Sequence, residues 1–87
     1  MKFGVYAIED SKTTFMAPMV DINDASAMRN FENAVRQADG LLNSHPADFA
    51  FYRIGYFDNE SGELIPESPL RFLCDANSIL WKEAKVE

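Results

Sequence analysis

Residues 49 to 57, Phe-Ala-Phe-Tyr-Arg-Ile-Gly-Tyr-Phe, are the most strand-like stretch of the chain, and they are apolar on both of the faces a strand presents. The odd positions are Phe49, Phe51, Arg53, Gly55 and Phe57, and the even ones are Ala50, Tyr52, Ile54 and Tyr56. A sheet with helices on one side buries only one of these sets. The other set needs a second layer or a partner. With 87 residues the chain is expected to be a single domain, 1–87, with no room for a second lobe. A chain this short buries only about 60% of the surface that its unfolded form exposes, so its core is thin.

Reinforcement by disulfides is excluded, because Cys74 is the only cysteine. That usage fits a reducing compartment, and it leaves oligomerisation as the remaining support. An apolar content of 47% with 25% charged residues is ordinary for a globular protein and far from the signature of disorder. No stretch approaches the roughly 20 apolar residues of a membrane helix, and Met1-Lys2-Phe3 leads directly into a strand-like segment rather than a signal-peptide core. A soluble, untargeted protein is expected. Eight basic residues against fourteen acidic ones give a net charge of −6, which disfavours tight general binding to nucleic acid.

Alternation and turn residues set the expected order of elements. Residues 2 to 9 read as a strand that enters a hairpin at the polar cluster 10 to 14, with 15 to 21 as its partner. Pro18 cannot donate to a ladder, so that partner belongs at a sheet edge or carries a bulge. An edge of this kind invites a partner chain. Asn23 and Asp24 are helix-capping types, and Ala27, Phe31, Ala34, Val35 and Ala38 recur at helical spacing, predicting an amphipathic helix over 24 to 38 that stops at Gly40. After the strand at 49 to 57, Asp58 to Gly62 form a turn into Glu63-Leu64-Ile65, and Pro66 and Pro69 are expected to end that second hairpin. Leu70 to Cys74 then read as extended or irregular, and 76 to 84 as a short helix. The fold class is α+β, a β-β-α-β-β order plus a C-terminal tail, with an antiparallel sheet carrying its helix on one face.

Residues that could carry catalysis are sparse. His45 is the only histidine, stands before Pro46 in a loop, and has no ligand at metal-binding spacing, so it reads as loop punctuation. Cys74 has only that histidine as a base and reads as a small core side chain. The run Asp58 to Glu63 faintly resembles a calcium loop, but its glycine falls one position early. Glu9-Asp10 read as solvated rim charge. With no phosphate loop, nucleophile elbow or catalytic acid pair, the expectation is a protein that is not an enzyme and uses no cofactor and no metal.

The tyrosines are the better signal. Assigning the phenylalanine positions to the core, because tyrosine tolerates a wet edge, puts Phe3, Val5 and Ala7 inside and leaves Tyr6, Ile8, Tyr52, Ile54 and Tyr56 as an outward apolar patch. Arg53 is the awkward member of that core face.

Several stretches carry a family resemblance. They are Val5-Tyr6-Ala7-Ile8, Ala17-Pro18 with Asn23, Ala27, Phe31 and Val35, then His45-Pro46-Ala47-Asp48-Phe49, Ile54-Gly55-Tyr56-Phe57-Asp58 and Ser61-Gly62. Over residues 3 to 65 the chain resembles the small nonstructural protein of the gokushoviruses, tailless single-stranded-DNA phages. The tail after Pro66 departs from that pattern. The resemblance implies a phage accessory protein in the host bacterial cytoplasm, outside the mature capsid, sometimes labelled single-stranded-DNA-binding. It implies no catalytic residues.

Two functions are compatible with these observations. In the first, single-stranded DNA bases stack on Tyr6, Tyr52 and Tyr56 while Arg36, Arg53, Arg71 and Lys82 contact phosphates during genome synthesis or handling. In the second, the tyrosine face, with Ile54, or the edge strand pairs with another copy or with another phage or host replication protein, and no nucleic acid is bound directly.

Overall fold

A computed structural model describes the backbone of residues 1–84 and the side chains as far as Trp81. Strand β1 (Lys2–Asp10) and the short β2 (Met19–Asp21) lead into helix α1 (Asp24–Val35). A one-turn helix α2 (Leu41–Ser44) and a 3-10 turn (Pro46–Asp48) precede the long hairpin of β3 (Phe49–Asp58) and β4 (Leu64–Asp75), and α3 (Ala76–Ala84) closes the described chain. The four strands form one antiparallel sheet in the order β2-β1-β3-β4. This is the expected α+β arrangement, with α3 joining α1 on the same side of the sheet.

Local chemistry explains the element ends. Asn23 caps α1, its side chain accepting a hydrogen bond from the Ser26 N–H at 2.8 Å, and Asp24 adds a favourable negative charge to the first turn. The helix ends at Val35, three residues short of the expected 38. There the Asn43 side chain donates to the Val35 carbonyl at 3.0 Å, and the chain turns at Gln37 to Gly40. Pro18 lies just outside β2, and the residues before it meet β1 without forming a strand: Phe15 makes an isolated bridge to Glu9, and the Met16 N–H donates to the Ile8 carbonyl at 2.8 Å.

The second hairpin differs from expectation. Pro66 and Pro69 do not end it, and Leu70 to Cys74 are not irregular, because β4 runs through both prolines to Asp75. β4 is the outermost strand, where an imino acid removes no ladder bond that a neighbour requires. Residues 67 to 70 arch away opposite the single residue Ile54, since Gly55 pairs with Pro66 and Arg53 with Arg71. Gly55 is needed at this crossing: a side chain there would collide with the Ile65 carbonyl.

A bulge at Ile54 also decides the faces. On β1, Val5 pairs with Gly55 but Tyr6 pairs with Arg53, so β3 contains one extra residue and its alternation changes phase. Phe49, Phe51, Arg53 and Tyr56 share the helix side, whereas Ala50, Tyr52, Gly55 and Phe57 point the other way. On β1 the sequence-based assignment is reversed. Ile8 lies opposite Phe51 and Tyr6 opposite Arg53, so Tyr6 and Ile8 face the helices, and Phe3, Val5 and Ala7 face away. The core is Tyr6, Ile8, Ala27, Phe31, Val35, Phe49, Phe51, Ala76 and Ile79. Phe31 stacks on Phe51 at 4.7 Å between ring centres, and Tyr6 stacks on the same ring at 5.7 Å.

Candidate functional site

Tyr6 was expected on an outward patch, but it is 1% exposed. A tyrosine is buried at low cost when its hydroxyl has a partner, and here it donates to the Asp24 carboxylate at 2.6 Å. Its ring lies over Gly4, where an added side chain would run into it. Burial first, and then the bond to Asp24, push the Tyr6 phenol far above its ordinary range. Tyr6 therefore offers no surface for stacking in this fold.

Arg53 occupies the helix side of β3, with a side chain 12% exposed. Its Nε and Nη2 donate to the two Glu67 oxygens at 2.7 and 2.9 Å, and its Nη1 donates to Asp24 at 2.7 Å. The fork geometry of guanidinium suits this arrangement. The Glu67 hydrogen bond is the main influence raising the Arg53 pKa, and the same bond holds the Glu67 carboxyl below its usual range. Burial pushes the Asp24 carboxyl up, but the Tyr6 hydroxyl and Arg53 outweigh it, so Asp24 also titrates low. One cation thus joins the first turn of α1 to the arch of β4, and it is already matched by two carboxylates. Tyr56 belongs to the same region, with the Arg53 guanidinium 4.8 Å from its ring centre.

Of the other proposed phosphate contacts, Arg71 is brought beside Arg53 on the helix side of the sheet, whereas Arg36 is at the far end of α1, 3.5 Å from Glu32. The side chain of Lys82 is outside the described residues.

Among the described residues, the far side of the sheet carries no helix. Tyr52 is on it, as expected, and touches Phe15 and Phe72 edge to face at 5.8 Å each, forming a row of three rings across the sheet. Alongside lies a shallow apolar groove of about 360 Å³ lined by Val5, Pro18, Val20, Ile54, Leu64 and Ile65 among others. Val20 is 53%, Phe72 54% and Leu64 68% exposed. Phe15, Val20, Leu64 and Phe72 belong to this surface but were not in the expected patch. Their signal was the adjacency of β2 and β4 to the central strands, which alternation within one strand does not reveal. Among the described residues, the register puts no lysine or arginine on this face, and its acids, Glu9 and Asp75, lie together at one end.

A family model described as Phage ORF5 protein matches residues 3–79, reaching into the tail after Pro66, where the resemblance over residues 3 to 65 stops. No curated protein and no solved structure matches significantly.

Proposed function

The chain belongs to the Phage ORF5 protein family, and on that premise we propose that it is a non-catalytic phage accessory protein that works in the infected bacterial cell by protein association through the open face of its sheet. The observation that carries this reading is the composition of that face: aromatic and aliphatic side chains, several of them half exposed, with no basic residue among those described. Protein interfaces are marked by aromatic enrichment and by depletion of charge at their centre. Monomers seldom expose apolar patches beyond a few hundred Å². The sheet edges are the poorer sites for association, since β2 has three residues and β4 carries two prolines. No helix is long and apolar enough to cross a membrane among the described residues.

A second reading is supported by the ring row Phe15, Tyr52 and Phe72, which could stack unpaired bases of single-stranded DNA. The placement of charge counts against it, because Arg53 is taken by Glu67 and Asp24. Titration of a labelled single-stranded oligonucleotide at two salt concentrations separates the two. Association through protein predicts no salt-sensitive binding at micromolar protein. Binding that weakens with a slope of roughly −1.5 to −2 in log affinity against log salt, the value for two or three phosphate contacts, and that is lost in Tyr52→Ala, would establish the nucleic-acid reading instead.

A further inference from the structure

Resting on the association reading above, we propose that the occupant of the open face is a second copy of this chain, packed sheet to sheet across a two-fold axis that lies in the interface plane and runs across the strands.

Area is the first argument. Four strands spaced about 4.8 Å apart, with a central strand of about 33 Å, give a face of roughly 600 Å², so two copies cover about 1,200 Å², the lower bound of stable interfaces. Two sheets packed in this way close at a spacing of about 10 Å, with interleaved side chains, and exposed Val20, Leu64 and Phe72 supply the knobs.

Charge is the second argument, and it selects both the partner and the direction. The chain carries −6, so two copies repel over most of their surfaces. The open face is where they can meet with little repulsion, since its acids are confined to one end. If the axis ran along the strands, Glu9 and Asp75 of both copies would be stacked together. With the axis across the strands, the acidic end of one copy covers the end of the other near Leu64, where the turn acids Asp58 and Glu60 are paired with the Met1 amino group and Glu63 lies beyond the strand. The two acid pairs are then separated by about 30 Å, several screening lengths of roughly 8–10 Å at ordinary salt.

The test combines solution mass with a distance. Sedimentation equilibrium at tens of micromolar should give twice the chain mass, and Leu64→Glu, which places a carboxylate in the interface twice by symmetry, should weaken dimerisation at least about a hundredfold. Its thermal melt, and a second variant, Val20→Glu, guard against misreading a folding defect. A spin label at Ser61→Cys in the Cys74→Ala background sits on the turn between β3 and β4, outside the face. The crossed arrangement predicts a label separation near 40 Å, whereas a parallel one predicts less than about 20 Å. A short distance in a dimer that Leu64→Glu dissociates overturns the axis direction. A monomeric wild type overturns the second copy while leaving the association reading in place. A dimer indifferent to both face variants overturns the association reading itself.

Discussion

The two faces of this sheet are built from similar residues and are finished differently. Tyr6 and Tyr52 show the contrast on neighbouring strands. Tyr6 lies under α1, stacks on Phe51 and has a carboxylate for its hydroxyl. Tyr52 lies on the open side, held edge to face between two rings that are themselves partly in water. Both hydroxyls have a carboxylate nearby, Asp24 for Tyr6 and Glu9 for Tyr52, so the difference comes from the layer above them: on the helix side Asp24, Arg53 and Glu67 satisfy what the helices bury, whereas among the described residues no helix lies over Tyr52. Among the described residues the open face buries Val5 and Ala7 but leaves Val20, Leu64 and Phe72 more than half exposed, which is the surface that the proposed association would cover.

That contrast can be broken most severely on the helix side. Phe31 is 3% exposed and stacked on Phe51, and Phe31→Asp would bury a carboxylate without a partner. The lost ring packing of about 3–5 kcal/mol and the desolvation of a carboxyl, several kcal/mol more, together are comparable to the about 4–13 kcal/mol expected for the whole domain. Circular dichroism should show no cooperative melt, and a retained melt would mean that α1 does not pack on Phe51.

A smaller effect is expected from Arg53→Met, which leaves Asp24 and Glu67 close together without their cation. Because the three side chains are between 12% and 29% exposed, the loss should be about 2 kcal/mol, between the values for surface and fully buried pairs. Its origin can be read from pH. Both carboxyls titrate below their ordinary values of 3.8 and 4.5, so the stability they contribute is complete above those values and is lost as pH falls through the lower, folded ones. The gap between wild type and Arg53→Met, measured by urea denaturation, should therefore begin to narrow as pH falls below about 4.5 and close as it passes through the lower, folded values. A gap of constant size would locate the effect in packing instead.

The smallest effect on the fold belongs to the open side. Leu64→Glu, at a site 68% exposed, should change the stability of the monomer by no more than about 0.5 kcal/mol, as surface substitutions usually do. Measured under dilute conditions, a loss of 2 kcal/mol or more would show that Leu64 is part of the chain's own core and that the two faces are less different than described.

The elements were legible in the sequence because their signals are local: alternation in β1 and β3, the Asn23 cap, and the helical spacing of Ala27, Phe31 and Val35. The side on which each strand faces was only half legible. Phe49 and Phe51 were placed correctly, while Tyr6 was not, because its hydroxyl partner lies 18 residues away and becomes a neighbour only after folding. Arg53 was the readable clue. A cation among core-facing aromatics requires acids beside it, and Asp24 in the first turn of the predicted helix was available to supply one. The continuity of β4 was hidden because Pro66 and Pro69 break most strands, and only the position at the sheet edge makes them harmless.

The extra residue at Ile54 gives the central strand two grammars in one sentence. Before it, odd-numbered side chains answer to the helices; after it, odd-numbered side chains answer to whatever lies beyond the open face. If the same residues ran in strict alternation without that bulge, the second half of the strand would turn over, directing Phe57 inward and Tyr56 outward, with the composition unchanged. In this protein a single position thus works as a punctuation mark, and the division between inside and outside is encoded by spacing as much as by residue type.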